Sequence, residues 1–297
     1  MEADSLRDIL HGRGIEIEPG AIVRIGECSW RAQGRAGDMI LRFIPQEAHR
    51  VRRAFRAIPQ MRSSSSLSLQ PLLDMIQSEG GALAVLEWVP GSTLRETSQD
   101  ELPVFFDRLA QWHMANAVRN PLYSRYTDCE YRSIGEFLDG EVDYHLGILG
   151  LHRQEKACSD ILEPLTSGFT TYIHGDVHTG NIVRRPDGSF ALLDPEYLHV
   201  GCNYLDLDYI DWWGIEPDPA PWWIIKEQAR ASVSAYFAAL EITPSDIPAI
   251  MKAVCLISSL RSHTDSVEFH TGNSDLALAR VRSILDGGLS TGKGSLS

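Results

Sequence analysis

Absences narrow this sequence before its motifs do. No apolar run approaches the ~18 residues of a membrane span, and no basic, apolar, cleavable leader opens the chain, so no membrane role is expected. Positive charge is scarce: 27 Lys and Arg face 40 Asp and Glu, a net charge of -13 over 297 residues. Nucleic-acid binding needs a basic surface, so that class of partner is not expected. The five cysteines (Cys28, Cys129, Cys158, Cys202, Cys255) are scattered, with no Cys-x-x-Cys. They read as separate reduced thiols of a cytoplasmic protein. No internal repeat is present. With 43% hydrophobic residues the chain can bury a sizeable core, and its length suits two modest domains.

What is present centres on one stretch, Thr171-Tyr-Ile-His174-Gly-Asp176-Val-His178-Thr-Gly-Asn181-Ile-Val183. Apolar and β-branched residues flank a turn carrying His, Asp and Asn. Arg185-Pro-Asp187-Gly188 reads as the turn of a hairpin, and the second strand, Phe190 to Leu193, runs into Asp194. Asp176, Asn181 and Asp194 are thereby brought close together as a set of hard oxygen ligands with one carboxylate base. Mg²⁺ takes a carboxylate and an amide oxygen and leaves other positions to phosphates and water, so Asn181 and Asp194 suit it. Asp176 lies five residues before Asn181, the spacing at which kinases place the group that orients the attacking hydroxyl. His174 and His178 are four apart, but Gly175 and Gly180 argue against the helix that a zinc pair would need, and no third ligand is suitably spaced.

The loop His174-Gly-Asp-Val-His-Thr-Gly-Asn181 resembles the aminoglycoside phosphotransferase and choline kinase superfamily, the small-molecule branch of the protein-kinase-like fold. Asp194-Pro-Glu196-Tyr197 is similar to a segment of the choline and ethanolamine kinases. The resemblance implies an α+β, bilobal, protein-kinase-like fold: a small β-rich lobe over residues 1–91, a larger helical lobe over 92–286, and a flexible Gly/Ser-rich tail over 287–297. It implies ATP and Mg²⁺ bound between the lobes. Asp176 would be the catalytic base, and Asn181 and Asp194 the metal ligands.

Elements along the chain are read in that light. A short helix carries Leu6, Ile9 and Leu10, and Pro19-Gly20 reads as a turn. Ala21 to Ile25, Trp30 to Gln33 and Met39 to Phe43 read as three strands. The turn at Gly26 to Ser29 holds one glycine, and by resemblance it covers the nucleotide phosphates. Arg42 ends the third strand, where the resemblance puts a phosphate-binding cation, and its guanidinium fork suits phosphate oxygens. Pro45 is read as opening a helix to about Ile58, with Glu47 in its first turn. By resemblance Glu47 pairs with Arg42. Gln70 to Gln77 and Ala82 to Trp88 read as a hairpin. Leu86 to Gly91 resembles the hinge, where the Glu87 carbonyl and the Val89 amide would meet the adenine edge.

The second half reads as helical. Leu102 to Ala117 carries Leu102, Phe105, Leu109 and Trp112 at helical spacing, a core stripe. His113 is read as structural. Two helices are expected between about 130 and 167, and three more over 226–240, 244–261 and 274–285. From Pro186 to Ile225 there is no Lys or Arg, while acids and aromatics accumulate. That composition would suit an ammonium-bearing acceptor, with Glu196, Asp208 and Trp212 as candidate contacts. Paired tryptophans are equally core material. By resemblance Asp206, or else Asp208, steadies the catalytic loop.

The resulting expectation is a kinase that transfers the γ-phosphoryl group of ATP to a hydroxyl of a cationic small molecule, an aminoglycoside-like or other antibiotic. A choline or ethanolamine type of amino-alcohol kinase is the alternative, followed by a non-catalytic nucleotide-binding homologue. A protein kinase is disfavoured, because neither Asp-Phe-Gly nor Ala-Pro-Glu follows Asp194. A monomer or homodimer is expected.

Overall fold

The computed structural model describes residues 3–35, 37–64, 66–96, 99–119, 121–127, 129–150, 155–208, 227–269 and 274–285. The chain divides into two compact units. One comprises Met1–Thr97 with Thr179–Leu198, the other Ser98–His178 with His199–Ser297.

The first unit opens with α1 (Ala3–His11), followed by β1 (Ile17–Arg24), β2 (Ser29–Gly34) and β3 (Gly37–Pro45). After α2 (His49–Ala57) come β4 (Leu67–Leu69), β5 (Leu72–Ser78) and β6 (Gly81–Glu87). β1, β2, β3, β6 and β5 form one antiparallel sheet in that order. Leu6 and Leu10, one helical turn apart on α1, are fully buried against Trp30, Leu41, Leu83 and Val85 of this sheet. Pro19-Gly20 is not the expected turn. It falls within β1, where the register shifts between Ile17 and Ile22. An edge strand accommodates a proline and a bulge because its outer N–H groups have no ladder to complete.

A second, four-stranded sheet has the order β4, β12 (Phe190–Leu192), β11 (Ile182–Arg184) and β7 (Ser92–Thr93). Here residues 179–198 join the first unit: β11 and β12 form a hairpin held on one side by β4 and on the other by β7. Its turn is closed by Asp187, whose carboxylate accepts from the Ser189 N–H at 2.9 Å and the Ser189 hydroxyl at 2.7 Å. Gly91 meets this hairpin with φ +138°, and a Cβ there would lie 2.2 Å from the Arg184 carbonyl oxygen. Only glycine permits that approach.

The second unit is largely helical: α3 (Leu102–Ala115), α4 (Ile134–Ile148), α5 (Glu155–Leu162), α6 (Glu227–Ala239), α7 (Ile247–Phe269) and α8 (Ser274–Leu285). Between β8 (Leu122–Tyr123) and β9 (Glu130–Tyr131) lies a short loop. β10 (Thr170–Ile173) pairs antiparallel with β13 (His199–Cys202). The α3 stripe is buried, Trp112 included. α7 runs eight residues beyond the Arg261 end read from sequence. Arg261, His263, Thr264 and Ser266 look like a polar terminus in the sequence, yet all four are buried.

Candidate active site

The loop bearing His174, Asp176 and Asn181 begins where β10 ends. Asp206, fully buried in the turn after β13, reaches back to it. Its Oδ2 accepts the His174 N–H at 2.8 Å and its Oδ1 the Gly175 N–H at 2.7 Å. The Nε2–H of His113, on α3, donates to Asp206 Oδ2 at 2.9 Å, and His113 Nδ1 lies 2.8 Å from the Tyr236 hydroxyl on α6. Burial alone would push the Asp206 carboxyl up, but His113 and the loop amides hold it below its ordinary value. Of the two residues expected to steady the loop, the geometry selects Asp206.

Gly175 has φ +77°, and this turn carries the chain from β10 to Asp176. The Asp176 side chain keeps 13% exposure, and its Oδ2 lies 3.6 Å from His178 Nε2. A carboxylate that is held but still open to solvent can accept a proton from a bound hydroxyl.

Asp208 is not placed to meet an acceptor. It is 3% exposed, and Arg261 Nη1 lies 3.3 Å from its Oδ2. The same Arg261 gives Nε–H and Nη2–H to Glu141 Oε2 at 3.2 and 3.1 Å, and Ser124 donates to the other Glu141 oxygen. One guanidinium therefore serves two buried carboxylates. Burial pushes both up. Arg261, with His145 and Ser124, holds Glu141 well below the usual range, whereas Asp208 is left at about 7. Among the described residues its Oδ1 has no hydrogen-bond partner. Trp212 lies outside the described residues, as do the other tryptophans of the acidic aromatic stretch and the expected 287–297 tail.

In the first unit the 182–192 hairpin sets the metal candidates. Its register opposes Ile182 to Leu192, and the Leu193 N–H donates to the Asn181 carbonyl at 2.8 Å. The ladder thus continues one pair beyond the strands and leaves Asn181 and Asp194 flanking the same hairpin end. Asp194 sits in the left-handed region, φ 55° and ψ 65°, directly before Pro195. A residue before proline favours extended backbone, so this conformation is strained by on the order of 1 kcal/mol or more. Such strain persists where surrounding structure holds a side chain in a required direction.

Arg42, on β3, donates to Ser29 Oγ at 2.7 Å and to the Glu196 carboxylate. This corrects the expected Arg42–Glu47 pair. Pro45 belongs to β3 and α2 starts only at His49, so Glu47 lies exposed in the preceding turn. α2 itself contains no acidic residue. Glu196, the candidate acceptor contact, is the carboxylate partner of Arg42.

The Gly26 N–H is directed back at the Ser29 carbonyl at 3.1 Å. At the expected hinge, the Gln70 amide donates to the Glu87 carbonyl at 3.0 Å, which occupies one lone pair of that oxygen. The Val89 side chain is buried with Val183 and Ala191 of the hairpin.

The model of the phosphotransferase enzyme family matches residues 28–238, most of the chain. The chain belongs to the phosphotransferase enzyme family. This makes it an enzyme that transfers phosphoryl groups to small-molecule hydroxyls. No curated protein matches it in sequence. Solved members and neighbours share its kinase-like fold at low identity. A thermostable mutant of aminoglycoside phosphotransferase APH(4)-Ia, in ternary complex with AMP-PNP and hygromycin B, is 17% identical, with a TM-score of 0.61 over 97% of this chain and 100% of that one. A candidate fructosamine-3-kinase from Haemophilus somnus 129PT is 12% identical, with a TM-score of 0.64 over 93% of this chain and 95% of that one. Macrolide 2'-phosphotransferase MphH from Brachybacterium faecium is 17% identical, with a TM-score of 0.58 over 94% of this chain and 97% of that one.

Sequence reasoning passed over Arg125 and Arg261. Neither lies in a motif, and apart from Tyr126 beside Arg125 the partners named for them are 50 to 140 positions away.

Proposed function

We propose that this phosphotransferase moves the γ-phosphoryl group of ATP, with Mg²⁺, to a hydroxyl of a cationic small molecule. The observation that carries the reading is the hairpin end that sets Asn181 beside the strand leading to Asp194. An amide oxygen and a carboxylate there are the hard donors that Mg²⁺ takes when phosphates and water complete its shell. When bound, the ion neutralises charge on the phosphates. Arg42, oriented by Ser29 and Glu196, adds a guanidinium to those oxygens. The Gly175 turn presents Asp176, which orients the acceptor hydroxyl and accepts its proton as the O–P bond forms. The net charge of -13 favours approach of a cation. A neighbour crystallised with hygromycin B supports the aminoglycoside-like class.

The test is Mg²⁺-dependent ATP consumption against aminoglycosides, macrolides, fructosamines, choline, ethanolamine and sugars. Turnover is expected with an amine-bearing acceptor. Asp176→Ala should abolish it with little change in nucleotide binding, whereas Asp194→Ala should weaken Mg²⁺-ATP binding as well. A chain that binds no ATP, or an Asp176→Ala variant with full turnover, refutes the reading.

A further inference from the structure

Three consecutive peptide planes lead into Asp176. The first carries the His174 N–H and the second the Gly175 N–H, and Asp206 binds both. The third joins Gly175 to Asp176, and its carbonyl belongs to Gly175, whose φ of +77° marks the residue with the greatest backbone freedom in the turn. Arg125 holds this third plane. Its Nη1–H donates to the Gly175 carbonyl at 2.6 Å. The Nη2 side donates to Asp265 Oδ2 at 2.9 Å and to the Tyr126 hydroxyl. Tyr126 in turn donates to Asp265 Oδ1 at 3.2 Å, and the guanidinium lies 4.7 Å from the Tyr126 ring centroid.

The Arg125 side chain is only 7% exposed, and Asp265 lies on α7. A buried cation that spends one nitrogen on a single loop carbonyl and the other on a helix-borne carboxylate is a clamp with two fixed ends.

We infer that Arg125 is a positioning residue for Asp176, fixing the Gly175–Asp176 peptide against α7 through Asp265. The inference rests on Asp176 being the base of the proposed reaction. Asp206 binds the first two planes, and Arg125 binds the carbonyl of the third. A displacement of the carboxylate by about 1 Å costs roughly 100-fold in rate.

The experiment compares Arg125→Gln, Arg125→Ala and Asp176→Ala in the full chain by amide hydrogen exchange and by steady-state Mg²⁺-ATP hydrolysis with water as acceptor. In Arg125→Gln, exchange across 173–178 should quicken at least about tenfold while α4 and α7 keep their protection. Turnover should fall roughly 10- to 100-fold with the KM for ATP within about twofold, and ethylguanidinium should restore part of it in Arg125→Ala. Unchanged exchange across 173–178, or loss of protection spread equally over α4 and α7, overturns the clamp. So does a turnover loss carried by KM. Asp176→Ala judges the underlying reading separately. Full hydrolysis by that variant removes the base assignment, while the exchange result still decides whether Arg125 holds the loop.

Discussion

Asp206→Asn removes one charge from a buried site and changes almost no volume. In the parent, the carboxylate accepts three donors, the N–H groups of His174 and Gly175 and the Nε2–H of His113, all within 2.9 Å. Two effects oppose one another. Burying a carboxylate costs several kcal/mol, and each hydrogen bond to a charged acceptor contributes about 1.5–3 kcal/mol. The bonds win, because the group is held below its ordinary pKa despite complete burial. Asparagine keeps one acceptor oxygen and turns an NH₂ toward the remaining donors, so at least one N–H is left buried and unpaired. The expected loss is ~3–4 kcal/mol, a large share of the 5–15 kcal/mol that holds a typical domain. The sign with pH follows from the lowered pKa. Asp206 contributes stability above the ordinary carboxylate range and loses it as pH falls, so the variant should show a flatter acid limb. Urea unfolding from pH 4 to 8 measures both. A variant within ~0.5 kcal/mol of the parent at pH 7, with the same acid limb, would show that the loop is held by something other than Asp206.

Three more outcomes are expected. Asp194→Gly should relieve the left-handed strain before Pro195 and raise stability by about 1 kcal/mol while ending turnover; a lowered melting temperature would remove the strain argument. Glu196→Gln should loosen Arg42 and raise the KM for ATP several-fold with a smaller change in kcat, whereas Glu47→Gln should leave both as they were; the reverse pattern would return the pairing to Glu47. Asp208, raised from 3.8 to about 7, binds its proton in the folded chain before the unfolded one. It should lower stability as pH rises from about 4 to 7, by up to ~4 kcal/mol, and Asp208→Asn should remove that slope; an unchanged slope refutes the assignment.

The legible part of this protein was what short-range chemistry dictates. Asp176, Asn181 and Asp194 are recognisable because a turn, a hairpin and their spacing lie within one stretch of chain. α1 and α3 declare themselves by apolar residues one turn apart. What stayed hidden depends on partners far along the chain. Glu196 meets Arg42 across 154 positions, and no local pattern prefers it to the nearby Glu47. The second half of α7 reads as a polar helix end until Glu141, Asp208, His145 and Arg125 supply buried partners for Arg261, Thr264 and Asp265. Asp208 reads as an acceptor contact because aspartate is usually exposed, and a buried arginine on another element reverses that rule.

The hairpin of residues 182–192 has a consequence for inheritance and dissection. Its strands complete a sheet with β4 and β7, so the first unit is built from two separate pieces of chain. A fragment ending at Thr97 would keep β4 and β7 but lack the two strands between them. A fragment beginning at Ser98 would carry those strands as a lone hairpin, without β4 and β7 on its two sides. Neither unit is a portable module. The stretch bearing Asn181 and Asp194 cannot be separated from the stretch bearing Asp176, and shuffling or truncation at the obvious boundary would dismantle a sheet instead of releasing a domain.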